Sequence, residues 1–137
     1  MIEVGAELPK VTIQLTREDL QAYAAASGDH NPIHLDDEVA SAVGLPGVIA
    51  HGMLTMGHTA RVITQALGAT SLRSFAVRFT RPVVVPRLTD TPNFAEVTLG
   101  GKVTALDDEN GIATIALSAI FNGQTVLARA EARVQLP

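Results

Sequence analysis

A chain of 137 residues that is 47% hydrophobic is long enough for one domain with a real core and too apolar to stay disordered. It contains no cysteine, which excludes disulfides, thiolate metal sites and a cysteine nucleophile. A formal charge of −4 without a basic cluster argues against nucleic-acid binding.

No apolar run reaches the length of a membrane span, and Met1-Ile2-Glu3-Val4-Gly5 lacks a secretion signal, so a cytoplasmic protein is expected. Val11 to Leu15 predicts a short first strand. Thr16 reads as a helix N-cap, with Asp19 three residues on and Leu20, Tyr23 and Ala24 at helical spacing. That helix should stop near Gly28. The next segment, Ser27-Gly28-Asp29-His30-Asn31-Pro32-Ile33-His34, cannot be regular helix. Pro32 donates no backbone hydrogen bond and pushes Asn31 out of the helical region. Asp36 or Asp37 starts a second short helix through Val43, ended by Gly44, and Gly44 to Ile49 reads as a loop. A long helix is predicted from Gly52 to Leu67, with Gly68 as its stop. Met53, Met56, Ala60, Ile63 and Leu67 form one apolar face, which Leu54 and Val62 extend, while His58, Arg61 and Gln65 make a narrow polar stripe. A helix this apolar should be mostly enclosed.

Beyond Gly68 the apolar period changes to two. Phe75, Val77 and Phe79 share one face of a strand. A strand from Phe94 to Leu106 carries Gly100-Gly101, which suggests a bulge or bend. Ala113, Ile115, Leu117, Ala119 and Phe121 share a face of the next, and Val126, Ala128, Ala130, Ala132 and Val134 a face of the last. Asn110-Gly111 and Asn122-Gly123 are hairpin signals. Alanine at alternate positions leaves room for a helix to lie close. Helices in front and an antiparallel sheet behind give an α+β fold, a curved sheet covering an enclosed helix.

The chemistry concentrates in two short segments. Asp29 and His34 lie on the kinked loop, which can turn both side chains toward one point. A carboxylate and an imidazole at one point can move protons near neutral pH. Ala50-His51-Gly52-Met53 opens the long helix. Unpaired N–H groups at a helix start, left uncovered by a glycine, suit the oxygen of a polarised carbonyl. Plainer readings stand beside these. Asp29 could close an Asx-turn, and His34 could be a buried structural histidine. Asn31 is expected to bond loop backbone and Tyr23 to pack, with His30 and His58 as bystanders. Met53 and Met56 read as core, or as the lining of a flexible pocket. Arg78 and Arg81 read equally as a solvated strand face or as phosphate ligands. The chain has no compact set of metal ligands.

The run Tyr23-Ala24-x-x-Ser27-Gly28-Asp29-x-Asn31-Pro32-Ile33-His34, followed by Gly44-Leu45-Pro46 and Ala50-His51-Gly52-Met53, resembles the MaoC-like, R-specific enoyl-CoA hydratase (hydratase 2) family. It is especially similar to the catalytic B-subunit type dehydratases of mycobacterial-type fatty acid elongation. The match is densest from Thr16 to Leu67 and continues more weakly through Val77-Arg78-Phe79-Thr80-Arg81-Pro82. The resemblance implies a single MaoC-like hot-dog domain over residues 1–137, with the Gly52–Leu67 helix wrapped by the sheet. It also implies a dimer, with itself or with a related hot-dog subunit, whose sheets join edge to edge. The implied reaction is hydration of trans-2-enoyl thioesters, or its reverse, on coenzyme A or acyl carrier protein, without cofactor or metal.

In that chemistry water loses a proton as it attacks the β-carbon, the α-carbon gains one, and the thioester oxygen gathers charge. The resemblance implies that His34 deprotonates the water, that Asp29 holds the same water and assists delivery to the α-carbon, and that the Gly52 N–H binds the oxygen. The division of proton roles between Asp29 and His34 stays open. Asn31, His51, Met53 and Ile49 are expected to border the substrate, with His51 orienting the Gly52 turn and the 44–49 loop flanking the acyl tunnel. Two alternatives share the fold: a thioesterase, whose water attacks the carbonyl, and a non-catalytic acyl-binding partner subunit.

Overall fold

One antiparallel sheet of six strands carries the computed structural model, which describes residues 2–137. The strands are β1 (Glu7–Leu15), β2 (Leu72–Phe79), β3 (Ala95–Asp107), β4 (Ile112–Phe121), β5 (Gln124–Thr125) and β6 (Leu127–Gln135). Their order is β1-β3-β4-β6-β2, with β5 paired to β4. Both expected hairpins form. Gly111, Asn122 and Gly123 take φ of 65°, 50° and 73°, the left-handed values that Asn-Gly turns supply.

Alternation sets the inner face. Ile13 and Leu15 on β1, Val97, Leu99 and Val103 on β3, Ile115 and Ala119 on β4, and Ala132 and Val134 on β6 are all buried. β1 is longer than Val11 to Leu15 because it starts at Glu7 and continues through an irregularity between Leu8 and Val11. Pro9 sits in that irregularity, where its missing N–H does no harm to the ladder. The irregularity expected at Gly100-Gly101 falls on their β1 side, where the shift between Leu8 and Val11 lies opposite Gly101 to Leu99; toward β4 both glycines stay in register with Ser118 and Leu117, and that ladder slips between Val103 and Ala105. The glycines serve close approach. A Cβ on Gly101 would lie 3.1–3.2 Å from Leu117, Ile115 and Val62, and the last of these belongs to the helix that crosses the sheet.

Helix α1 (Arg17–Ser27) begins with the expected cap: Thr16 accepts from the Asp19 N–H, and the Asp19 side chain accepts from the Thr16 N–H. It ends at Gly28 with φ 79°. Asp36 caps α2 (Asp37–Ala42). The single helix expected from Gly52 to Leu67 is two, α3 (Gly52–Thr59) and α4 (Arg61–Leu67), parted at Ala60. The Thr59 hydroxyl donates to the Thr55 carbonyl at 2.7 Å, a side-chain bond of the kind that bends helices.

This pair lies across the sheet, α4 against β1 and β3 and α3 reaching β4. Its buried stripe is Thr55, Thr59, Val62 and Ile63. The predicted apolar face was therefore misassigned: of Met53, Met56, Ala60, Ile63 and Leu67, only Ile63 is fully buried, and Met53 is 59% exposed. The polar–apolar pattern failed because two threonines pack inward, Thr59 with its hydroxyl spent on its own helix. β2 ends the sheet, with Phe75 and Val77 half-buried and Phe79 54% exposed.

Candidate active site

The loop that carries Asp29 and His34 is wound by its own side chains. Ser27 Oγ accepts from the Asp29 N–H at 3.1 Å, Asp29 Oδ1 from the Asn31 N–H at 3.1 Å, and Asn31 Oδ1 from the Ile33 N–H at 3.2 Å. Three successive turns of this type lead into a short 3-10 turn, Pro32–His34. Asp29 thus does close an Asx-turn, with one oxygen, and Oδ2 is free of that turn.

His34 is 8% exposed, and its Nδ1 donates to the Ile49 carbonyl at 2.7 Å. A carbonyl only accepts, so Nδ1 carries the proton and Nε2 the lone pair. Ile49 is placed by strand geometry. Val48 C=O accepts from the Val85 N–H at 3.0 Å, and the Ala50 N–H donates to Val83 C=O at 2.9 Å. In such an antiparallel pair the residue between points its backbone groups the other way. The Ile49 N–H accordingly donates to Ile33 C=O at 3.2 Å, and its C=O receives His34.

His51 lies behind this arrangement. It is 1% exposed, its ring stacks on His34 with centroids 4.0 Å apart and 25° between planes, and the Tyr23 ring meets its edge at 4.7 Å. Its Nε2 donates to the Asp29 carbonyl at 3.1 Å, and its Nδ1 is buried without a partner. Burial pushes the His51 pKa down from its ordinary value of 6.5, against the weaker upward pull of the Asp29 carbonyl. His51 is therefore a neutral ring that supports the loop.

Asp29, His34, Ile49, Gly52 and Met53 all border one cavity of about 480 Å³. Asn31 and His51 lie outside its lining: Asn31 holds the loop, and His51 backs His34. Gly52 is the first residue of α3, with its amide in the unpaired first turn. A Cβ there would meet the Phe79 ring at 2.9 Å, so the glycine makes room for Phe79 as well as for any ligand. The cavity also takes in Thr55, Phe79 and Arg81. Thr55 was not singled out in the sequence, although helical spacing places it three residues after Gly52 on the same face. Phe79 was named only as a strand residue, and its place at the strand end brings it over α3. Arg81 borders the cavity and donates to Gln124 Oε1 at 3.3 Å, while Arg78 is outside the lining.

A carboxylate oxygen of Asp29 and a ring nitrogen each of His34 and His51 lie within 4.8 Å of one another, a spacing open to a metal. The ring planes decide against one. Imidazole lone pairs lie in the ring plane, and stacked rings send them side by side rather than toward one ion at about 2.1 Å. The trio is suited to handling protons and water.

Residues 3–104 match the model of the MaoC like domain family. The chain is 40% identical over 78 residues to 3-hydroxyacyl-thioester dehydratase X of Mycobacterium tuberculosis, covering 57% of this chain and 27% of that protein. It is 31% identical over 139 residues to the (R)-specific enoyl-CoA hydratase of Aeromonas caviae, covering 99% and 96%. A solved MaoC-like dehydratase superposes with a TM-score of 0.92 at 36% identity, over 99% of this chain and 41% of that one. The chain thus spans about a quarter of dehydratase X and nearly all of the hydratase.

Proposed function

Because the chain belongs to the MaoC-like domain family and has its hot-dog fold, we propose that it hydrates trans-2-enoyl thioesters, or dehydrates R-3-hydroxyacyl thioesters, in fatty acid metabolism. One observation carries the reading: Asp29 and His34 meet across one cavity at the start of α3, within 4.8 Å of each other. Two hydrogen bonds of about 2.8 Å meeting tetrahedrally span about 4.6 Å, so one water can bridge the two side chains.

Nε2 of His34 takes a proton from that water as its oxygen bonds the β-carbon. Asp29 Oδ2 holds the water, and the proton that His34 has taken passes, with Asp29 assisting, to the α-carbon, which returns both side chains to their starting state. The Gly52 N–H receives the thioester oxygen as charge collects there, aided by the helix start. Both parts of water arrive from the side where the two residues sit, which makes the addition syn. The reverse sequence eliminates water.

The rest of the reading follows from the surroundings. Residues 1–137 act as one domain. Two copies, or this chain and a related subunit, join along β2, covering Met53 and Phe79, which are 59% and 54% exposed. Arg81 at the cavity border suits a phosphate of coenzyme A or of a carrier protein's pantetheine arm. Among the described residues no helix is long and apolar enough to cross a membrane, and the cytoplasmic location belongs to this same proposal.

The test is a spectrophotometric assay with crotonyl-CoA and longer enoyl-CoA esters, followed by chiral analysis of the product. Loss of the conjugated absorbance with formation of the R-3-hydroxyacyl ester is expected. Release of free thiol would make the protein a thioesterase, and no turnover of any chain length would overturn the proposal.

A further inference from the structure

His34 also borders a second hollow of about 290 Å³, whose wall includes Arg17, Asp37 and Arg87. The mechanism uses none of these residues. Asp37 is the centre of the group. Its Oδ1 accepts from Arg17 at 2.8 Å and from the Val48 N–H at 3.3 Å. Its Oδ2 accepts from Arg17 at 3.0 Å and faces Arg87 Nε at 3.4 Å. Arg17 Nε also donates to the Val85 carbonyl at 2.9 Å. The fork between Arg17 and Asp37 is bidentate and mostly shielded, with side-chain exposures of 14% and 28%.

These bonds have a direction. Val48 and Val85 are the two residues whose backbones pair next to Ile49, and the ion pair grips one from each strand of that pair. Ile49 in turn holds the 3-10 turn through Ile33 and the ring of His34 through Nδ1. Each link from Asp37 to His34 is a hydrogen bond or a single peptide unit. The neighbouring Asp36 caps α2 by accepting from the Glu38 and Val39 N–H groups, so α2 does not need Asp37 for its cap.

We propose that Asp37, braced by Arg17, is a positioning residue that fixes the Ile49 carbonyl and thereby the orientation and tautomer of His34. The catalytic part of this inference rests on the hydratase reading; the structural part does not. Without the carboxylate, the 48–50 segment keeps its pairing with the 83–85 segment but loses its anchor to α1 and α2. The Ile49 carbonyl then drifts, and the Nδ1–H of His34 has no fixed acceptor. The Arg17 guanidinium holds the Asp37 carboxyl below the usual carboxylate range, so the brace is charged throughout the neutral range.

The experiment compares wild type with Asp37→Ala, which removes both the fork and the acceptor for the Val48 N–H, and Arg17→Lys. Nitrogen-15 NMR of the imidazoles reads the His34 tautomer, and crotonyl-CoA hydration reads kcat and KM separately. In wild type, Nδ1 of His34 should give a protonated-type signal and Nε2 an unprotonated one. In both variants the two signals should move toward each other, with kcat lower by about tenfold and KM within about twofold, as misplacement of a reacting group predicts. Arg17→Lys keeps the charge and removes the fork, so it carries the test if Asp37→Ala does not fold. Folded variants with a wild-type His34 signature overturn the proposal, even if their melting temperatures fall. If the signature moves while wild type itself shows no hydration, the hydratase reading fails and the positioning of His34 stands.

Discussion

The two halves of the chain hold their shape by different means. From Thr16 to Gly52, side chains tie down the backbone at helix ends and in the loops: Thr16, Asp19, Ser27, Asp29, Asn31, Asp36 and Asp37 all accept from main-chain N–H groups. From Leu72 onward, ladders of backbone bonds do the work and side chains pack. The first arrangement sets individual atoms; the second sets a surface. Acid–base chemistry needs the first, since a proton donor or acceptor must sit within hydrogen-bond reach of its target. The sheet supplies a rigid back against which the polar half is held.

The comparison can be broken at its strongest point. Asp29→Asn keeps an oxygen for the Asn31 N–H, so the loop should survive, yet turnover should fall at least a hundredfold. His34→Ala should lose as much. Thermal melts and the crotonyl-CoA assay together check this, and a variant that melts early but turns over normally per folded molecule would return both residues to a structural role. A change in the other half should do the opposite. Gly101→Val crowds Val62, Ile115 and Leu117 and should cost about 1–3 kcal/mol in urea unfolding, with kcat of the folded protein little altered.

Smaller effects sharpen the contrast. Thr16→Ala removes one side of the α1 capping box and should cost about 1 kcal/mol by the same unfolding measurement. The finest test is pH. Burial lowers the pKa of both His51 and His58 from 6.5, so below that value the unfolded chain takes up protons first. Stability should therefore decline as pH falls from about 6.5 through the folded-state values, and His51→Asn should flatten that slope. A slope that is unchanged in His51→Asn would mean that His51 is not the neutral, buried ring described above.

Local signals were legible in the sequence wherever one residue decides the outcome. The Thr16 cap, the stop at Gly28, both Asn-Gly hairpins and the bent loop at Pro32 follow from single side chains or their absence. The meeting of Asp29 with His34 was legible for the same reason. What the sequence hid depends on partners far along the chain. Nothing near residue 49 announces that its carbonyl will receive His34, because the 83–85 segment orients it. The inward face of α3 and α4 was misread because hydropathy ranks methionine above threonine, while Thr59 satisfies its hydroxyl on its own helix. Gly100-Gly101 signalled a break in strand pairing, which falls on the β1 side, but that Gly101 also makes room for Val62 only the packed helix reveals.

Ile49 combines two separable duties. Its main chain steadies the histidine, and its side chain forms part of the cavity wall. If the hydratase proposal holds, replacing isoleucine with a smaller or larger hydrophobe reshapes the space for an acyl tail without disturbing Asp29 and His34. Substrate range can drift by mutation at this position at little risk to turnover, and proline, which cannot supply the N–H that Ile33 receives, is the one replacement that forfeits this freedom.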